Sequence, residues 1–282
     1  MCEEISGEEI SGTGPERVDT EQDLKLDRRA AIMGAGCLAL AAILPGSAQA
    51  AGWARGRVRP AVATLPRQSP IDLRESEITF VRRLPRIRFA YPRKVDVRLV
   101  NTGSPDGEKT VRADVPTGVA HITLSGVRWD LLQFHWHTPS EHELEGEKTP
   151  LEMHFVHSRV PDGAFLVLAV FMERGKRNRA LEPMFRDLPE EENETRDVSG
   201  VRLPALLPDE RESFRYTGSL TTPPFTEPVD FVVFADPTSV SRRQIGAFQE
   251  LFPNGNNREV QPLNGREVLS DAEDVFEGEE DD

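Results

Sequence analysis

The chain has almost no cysteine. Only Cys2 and Cys37 occur among its 282 residues, and both precede a predicted cleavage site near residue 50. The mature protein would therefore contain no thiol with which to form a disulfide, even in an oxidising compartment. Its stability has to come from a buried core, and the length suffices for one large domain or two small ones.

Basic residues are too few for a nucleic-acid-binding protein. The formal net charge is −14, and residues 1–50 hold 9 acidic and 4 basic side chains, while residues 271–282 hold 8 acidic and none basic. Residues 51–270, with 31 acidic and 30 basic side chains, are nearly neutral. The densest basic stretch, Arg82–Lys94, is typical of a solvated strand face rather than of a phosphate-binding stripe with interleaved aromatics. We predict no nucleic-acid partner and an acidic, disordered tail over 271–282.

A long hydrophobic run is also missing. The one apolar run, Ala30–Leu44, is short for a bilayer span; it follows an Arg-Arg pair at 28–29 and precedes the small-x-small cleavage site Ala48–Ala50. These features predict an export signal with an acidic extension over 1–50, and the paired arginines favour the twin-arginine route. A retained amphipathic anchor is the alternative. The predicted location is periplasmic or extracellular, with no stable membrane span after cleavage.

What the chain does contain from Ile71 onward is a succession of short β-branched and aromatic runs separated by Pro, Gly and Asn. Few segments show a 3.6-residue period, so the pattern predicts a mainly β domain over 51–270. The strand candidates are Val95–Asn101, Gly118–Leu124, Leu131–His137, Leu151–Ser158, Ala164–Glu173 and Val229–Ala235. The other predicted elements are helices at Ala180–Arg186 and Ser241–Leu251, the latter capped by Ser239 or Ser241, and a surface loop at Glu190–Asp197.

Five of the six histidines lie between His135 and His157. Residues two apart on a strand share a face, so His135 and His137 point the same way, and His154 is predicted to stand opposite them across an antiparallel pairing. Three imidazoles on rigid strands are typical of a catalytic zinc site whose fourth position is open to water. Ordinary core or surface histidines are the alternative interpretation.

Ligating imidazoles need acceptors for their second ring nitrogen. Gln133 lies two residues before His135, and Glu152 lies two residues before His154, so both are predicted to support the ligands. A one-residue register shift would turn a flanking histidine toward the site instead. The histidines interpreted as structural or surface residues are His142, His157 and His121.

Sequence blocks beyond the histidines occur in a fixed order along the chain. They are QSPIDL (68–73), QFHWHTPSEH (133–142), PLEMHFVH (150–157), YTGSLTTPP (216–224) and QPLNGR (261–266). Together they resemble the α-class carbonic anhydrases, especially exported bacterial ones, over residues 67–266. The resemblance implies a large, twisted, mostly antiparallel sheet with short peripheral helices and a conical cleft ending at zinc. It also implies reversible hydration of carbon dioxide to bicarbonate and a proton by zinc-bound hydroxide, with sulfonamides and anions as inhibitors.

The resemblance implies roles for individual residues. The implied Zn²⁺ ligands are His135, His137 and His154, supported by Gln133 and Glu152. Thr221 would accept a hydrogen bond from zinc-bound hydroxide and donate its own proton to Glu141, and Thr222 would lie at the substrate and bicarbonate position. The residues that match the apolar pocket wall are Leu220, Val156 and Val167, for which ordinary core is the other interpretation.

The chain departs from the family pattern in several places. Ser104 stands near the usual proton-shuttle histidine, and none of the six histidines remains for that role. Phe225 occupies the place of a disulfide cysteine in many exported relatives, and Phe231 replaces a tryptophan near the zinc floor. The alternative functions are an esterase with the same zinc site and a non-catalytic binding protein. No sequence feature predicts an oligomeric state.

Overall fold

A computed structural model describes residues 65–103, 109–160, 162–272 and 275–276. The predicted export signal, Ser104 and residues 277–282 lie outside the described residues. The strands, in chain order, are β1 (Asp72–Leu73), β2 (Ile78–Phe80), β3 (Arg88–Ala90), β4 (Val95–Asn101), β5 (Val111–Asp114), β6 (His121–Leu124), β7 (Val127–His137), β8 (Glu143–Leu144), β9 (Leu151–Ser158), β10 (Phe165–Arg174), β11 (Thr195–Val201), β12 (Ser213–Gly218), β13 (Val229–Val240) and β14 (Val268–Ser270). The helices are α1 (Glu182–Phe185) and α2 (Arg242–Leu251), with 3₁₀ turns at Glu75–Glu77 and Leu203–Leu206.

Twelve of these strands form one twisted sheet. Its order is β11-β4-β5-β7-β9-β10-β13-β12-β14-β2, and β6 joins β3 to β7 beside this path. Among the pairings of the described strands in this sheet, only β10–β13 and β14–β2 are parallel; β1 and β8 form a separate parallel pair. The predicted fold class, a large and mostly antiparallel sheet with short peripheral helices, is confirmed. Among the described residues, no helix is long and apolar enough to cross a membrane.

The predicted secondary structure was accurate for strands with strong apolar patterning. β4 and β9 have the predicted bounds, and Ser241 caps α2 in a capping box with Gln244. The predicted loop at Glu190–Asp197 was wrong at its end, because Thr195 begins the edge strand β11. Exposed and half-buried residues alternate along β11, so its pairing with β4 rather than its own hydrophobicity makes it a strand.

Apolar side chains fill both faces of the sheet. On β7, Phe134 and Trp136 point into the larger core cluster, which also contains Val232 of β13. The smaller cluster, on the opposite face, includes Val156, Val167 and Phe231. Because side chains alternate along a strand, His135 and His137 point away from the larger cluster and toward the face that carries the smaller one.

Residues at the start of the predicted acidic tail contact the sheet domain. The Asp271 carboxylate accepts the backbone N–H groups of Leu84 and Ser213 at 3.1 and 3.0 Å, and Ala272 is buried. Phe276 lies 6.0 and 5.8 Å, between ring centroids, from the rings of Phe80 and Phe214. Residues 273–274 and 277–282 lie outside the described residues, so the disorder of the acidic tail stays a prediction.

Candidate functional site

Strand pairing brings three histidines together. In the antiparallel register of β7 and β9, His135 stands opposite His154, and His137 stands opposite Glu152. The centroids of the three imidazole rings lie 4.7–5.3 Å apart, and one ring nitrogen from each lies within 4.8 Å of the others. All three side chains are buried. The structure therefore places His135, His137 and His154 as the sequence predicts.

Hydrogen bonds fix which nitrogen of each ring faces the cluster. His135 Nδ1 lies 2.8 Å from Gln133 Oε1, and His154 Nε2 lies 2.8 Å from Glu152 Oε1. The sequence analysis missed the third support, the backbone oxygen of Asn256, which lies 3.3 Å from His137 Nδ1. Since these oxygens only accept, each bonded nitrogen carries the proton. The lone pairs facing the cluster are then on Nε2 of His135 and His137 and on Nδ1 of His154.

Glu152 is a fully buried acceptor for four donors. Its Oε1 accepts from the rings of His142 and His154 at 2.7 and 2.8 Å, and its Oε2 accepts the backbone N–H groups of Glu141 and His142 at 2.7 and 2.9 Å. Burial acts to raise the pKa of Glu152, but the adjacent imidazoles of His142 and His154 hold it well below its usual range. The carboxylate is thus ionised and orients His154.

His142 has the structural role that the sequence predicts. Its Nε2 lies 2.7 Å from the hydroxyl of Tyr216, which in turn lies 2.9 Å from Ser69 Oγ. Atoms of His142, Glu152 and His154 are also close enough to hold an ion. However, they already hydrogen-bond to one another, so the three-histidine cluster is the better candidate metal centre.

The fifth histidine of the cluster region, His157, is buried and separate from the site. Its Nδ1 lies 3.1 Å from the backbone oxygen of Phe155, and its Nε2 lies 2.7 Å from the Tyr91 hydroxyl. Burial lowers the pKa of His157 to about 4. His121, on β6, is half-buried.

The burial of His157 predicts a pH-dependent stability. The unfolded chain binds a proton at a pKa of about 6.5, so this stabilisation is complete above pH 6.5 and is lost as pH falls toward 4. Between pH 7 and pH 5 the wild type should lose about 2 kcal/mol of unfolding free energy through this group. Urea unfolding at both pH values should show the loss in wild type and in His121→Gln but not in His157→Gln. An unchanged pH dependence in His157→Gln would contradict the prediction.

A cavity of about 210 Å³ adjoins two of the cluster histidines. The four predicted pocket residues line it together with Thr221; they are Val156, Val167, Leu220 and Thr222. Leu132 and Phe165 also line it and were missed, and Phe231 covers part of the same wall. Leu132 reaches this face because the β7–β9 register shifts between Leu131 and Gln133, which alternation alone does not predict.

Glu141 contacts the histidine cluster. Its Oε1 accepts the backbone N–H of Arg258 at 2.9 Å, while its Oε2 lies 3.5 Å from His137 Nε2 and 3.8 Å from His154 Nδ1. That oxygen and His137 Nε2 are buried without a hydrogen-bond partner in the described part of the chain. Buried polar atoms of this kind are rare unless an ion or water satisfies them, so these residues fit a cation.

The hydrogen bond from Thr221 to Glu141, which the family resemblance implies, is absent between these described residues, because Glu141 Oε2 has no such partner. This carboxylate oxygen is directed at the imidazoles instead. Thr221 lies half-buried in the cavity wall beside His135 and His154. The two residues are therefore both at the cluster, but the bond between them remains a prediction.

Arg258 clamps the loop that carries the two threonines. Its guanidinium donates to the Ser69 backbone oxygen at 2.7 Å and lies 3.8 Å from the ring centroid of Phe225. Gln68 Nε2 holds the Phe225 backbone oxygen at 3.2 Å. Phe225, which stands where many relatives have a disulfide cysteine, is thus held by non-covalent contacts.

We expect Arg258→Met to loosen this loop and lower kcat/KM about tenfold, because small misplacements of positioning groups have effects of this size or larger. The backbone N–H that binds Glu141 is unchanged in this variant, so the effect isolates the side-chain clamp. Stopped-flow kinetics of the reaction that the family resemblance implies would measure it, with Arg242→Met, at an exposed helix position, as the matched control. Equal kinetics in the two variants would rule the clamp out.

Comparison with known proteins identifies the family. Residues 49–272 match the eukaryotic-type carbonic anhydrase family model. A carbonic anhydrase of Klebsiella pneumoniae is 37% identical over 206 residues, which cover 72% of this chain and 79% of that protein.

Solved structures agree with the sequence relatives. An α-carbonic anhydrase from Thermovibrio ammonificans, in complex with the inhibitor sulfanilamide, matches with a TM-score of 0.66 and 37% identity over 72% of this chain and 86% of that one. Carbonic anhydrase Cah3 from Chlamydomonas reinhardtii, in complex with acetazolamide, matches with a TM-score of 0.67 and 32% identity over 79% and 100% of the two chains. With its histidine cluster and apolar cavity on this fold, the chain belongs to the α-carbonic anhydrases, the eukaryotic-type family of these enzymes.

Proposed function

We propose that the chain catalyses the reversible hydration of carbon dioxide to bicarbonate and a proton, with zinc as its cofactor. The observation that carries the proposal is the cluster of three buried imidazoles beside an apolar cavity of about 210 Å³. Carbon dioxide is small and apolar, so a wall of Val156, Val167 and Leu220 suits it. Family membership supports the same reaction.

The donor set favours zinc. His135, His137 and His154 would hold the ion through three neutral nitrogens, and this set without thiolate or thioether is typical of catalytic zinc. When bound in such a site, zinc lowers the pKa of a coordinated water to about 7, a value known from carbonic anhydrase itself, and so supplies a nucleophile at neutral pH. Gln133, Glu152 and the backbone oxygen of Asn256 fix the ring orientations that coordination needs.

Thr221 and Glu141 would orient the reacting oxygen. A threonine hydroxyl has one proton to donate, and an ionised Glu141 can only accept. If Thr221 donates its proton to Glu141, the Thr221 hydroxyl oxygen can only accept a hydrogen bond from the nucleophile. The lone pair of the nucleophile is then directed toward carbon dioxide in the cavity. Thr222, in the same wall, is the proposed contact for bicarbonate.

The test combines metal analysis with activity. Purified mature protein should contain zinc and should hydrate carbon dioxide in a stopped-flow assay, and acetazolamide should inhibit it. Ester cleavage measured on the same preparation separates the hydratase from an esterase. Protein that holds zinc but hydrates no carbon dioxide would contradict the proposal.

Proton release should limit the rate. The described residues of the cavity wall include no histidine other than His135 and His154, and both are proposed metal ligands. Proton transfer would then depend on water chains and buffer, so added imidazole should raise the hydration rate strongly. A rate independent of imidazole concentration would contradict this prediction.

We propose export through the twin-arginine route to the periplasm or the exterior. The support is the Arg-Arg pair at 28–29, the short apolar run and the small-x-small site at Ala48–Ala50. Mass spectrometry of the protein from a bacterial host should give a mature N-terminus near residue 51. Replacement of Arg28 and Arg29 by lysine should retain the precursor in the cytoplasm, and normal processing of that variant would contradict the route.

A further inference from the structure

His137 is the last residue of β7, and strand pairing holds it on one side. On the β9 side the antiparallel register continues as far as His137 and Glu152. On the β5 side the described register ends two residues earlier, at Arg112 and His135. His135 and His154 each have a paired strand on both sides. Of the three clustered histidines, His137 therefore receives the least support from the sheet itself.

The side-chain amide of Asn256 supplies support at this strand end. Its Oδ1 accepts the backbone N–H of Thr138 at 2.7 Å, and its Nδ2 donates to the backbone oxygens of Trp136 and Lys109 at 3.0 and 2.7 Å. The amide thus bonds to the residues immediately before and after His137. Through Lys109 it also ties them to the chain just ahead of β5.

The backbone of Asn256 holds the imidazole of His137. Its oxygen lies 3.3 Å from His137 Nδ1, and its N–H donates to the Thr138 oxygen at 3.0 Å. The preceding Gly255 permits this close approach, because its φ is +76° and a Cβ there would lie 2.9 Å from the Thr138 oxygen. The carbonyl that orients the His137 ring is therefore fixed to the same strand end that the amide holds.

We propose that the side-chain amide of Asn256 is the positioning group for His137 and sets the metal affinity of the cluster without contacting the ion. This inference rests on the proposed function, since it takes the three-histidine cluster to be a zinc site. A carboxamide suits the three partners because it combines an oxygen acceptor with two N–H donors. An aspartate would instead direct oxygen at the carbonyl groups of Trp136 and Lys109.

Asn256→Ala tests this role through metal affinity rather than turnover. It removes the amide but keeps the backbone oxygen that faces His137. The Trp136 oxygen retains a second donor, Thr110 Oγ1 at 2.5 Å, so the chain should still fold. Chelator competition should show zinc affinity lower by about tenfold or more, since loss of a supporting group typically costs about 10–100-fold. Co²⁺ bound in place of zinc should show an altered visible absorption spectrum, which reports ligand geometry.

The matched control is Asn101→Ala. The Asn101 amide also bonds to three backbone groups: Nδ2 donates to the oxygens of Pro189 and Glu190 at 3.1 and 3.0 Å, and Oδ1 accepts the N–H of Gly103 at 3.1 Å. Asn101 belongs neither to the histidine cluster nor to the lining of the adjoining cavity. Urea unfolding of the metal-free proteins should show comparable losses of stability in the two variants, whereas zinc affinity should fall only in Asn256→Ala.

A second variant reaches the same strand end by another route. Gly255→Ala leaves the Asn256 amide in place but crowds the Thr138 oxygen, so it should also weaken zinc binding. Wild-type zinc affinity in Asn256→Ala, or an equal weakening in Asn101→Ala, would overturn the inference and leave the proposed hydration of carbon dioxide standing. A wild type that binds zinc without hydrating carbon dioxide, together with weakened zinc binding in Asn256→Ala, would contradict the proposed function and support the role of Asn256.

Discussion

Replacement of His137 by alanine should abolish zinc binding and carbon dioxide hydration together. The remaining two imidazoles cannot hold the ion in a three-ligand site. Glu141 Oε2, which lies 3.5 Å from His137 Nε2 in the wild type, would face the space that the imidazole leaves. Loss of a mere supporting group typically reduces metal affinity or activity about 10–100-fold, so removal of a ligand should reduce the hydration rate by more than about a hundredfold. Metal analysis and stopped-flow kinetics on the same sample measure both quantities.

The control for this experiment is His121→Ala. His121 lies on β6, next to β7 in the same sheet, but outside the metal cluster. It should retain zinc and wild-type kinetics. If His137→Ala kept both as well, the ligand assignment would be wrong. Circular dichroism of the variant excludes unfolding as the cause of the loss.

The second large effect is expected at Glu152. Alanine there would leave four buried donors without an acceptor: two imidazole N–H groups and two backbone N–H groups. Removing one partner of a buried charged network typically costs about 3–5 kcal/mol. Urea unfolding should show a loss of this size, and chelator competition should show zinc affinity lower by about 10–100-fold, since His154 loses its orienting acceptor.

Two further variants separate the causes. Glu152→Gln keeps the shape but offers one oxygen acceptor and an N–H₂ group that faces donors, so it should lie between alanine and wild type in both measurements. Asp197→Ala removes a carboxylate whose pair with Arg98 is exposed, and it should change the urea midpoint little, because exposed pairs contribute little. Equal stability of Glu152→Ala and Asp197→Ala would contradict the assigned role.

The sequence predicted the centre of the site because its chemistry is local. His135 and His137 share a face through the two-residue period of a strand, and Gln133 and Glu152 reach their histidines within the same strand. Asn256 and Arg258 could not be predicted in this way, since 119 and 117 residues separate them from His137 and Glu141. The run of Asn and Gly around 254–257 indicates only a turn.

The strands were predicted unevenly for a related reason. β4 and β9 have strong apolar patterning of their own, whereas β11 depends on its pairing with β4. The orientation of Leu132 also depends on strand pairing, because the shift in the β7–β9 register turns its side chain toward the cavity.

By itself, the sequence determined the kind of chemistry, the family resemblance and the sheet architecture, because residue type and strand period act over a few positions. Only the tertiary structure decided which nitrogen of each ring faces the cluster and that Asn256 and Arg258 reach the candidate metal centre. These features depend on contacts between segments far apart in the chain, whose distances are set by how the whole sheet packs.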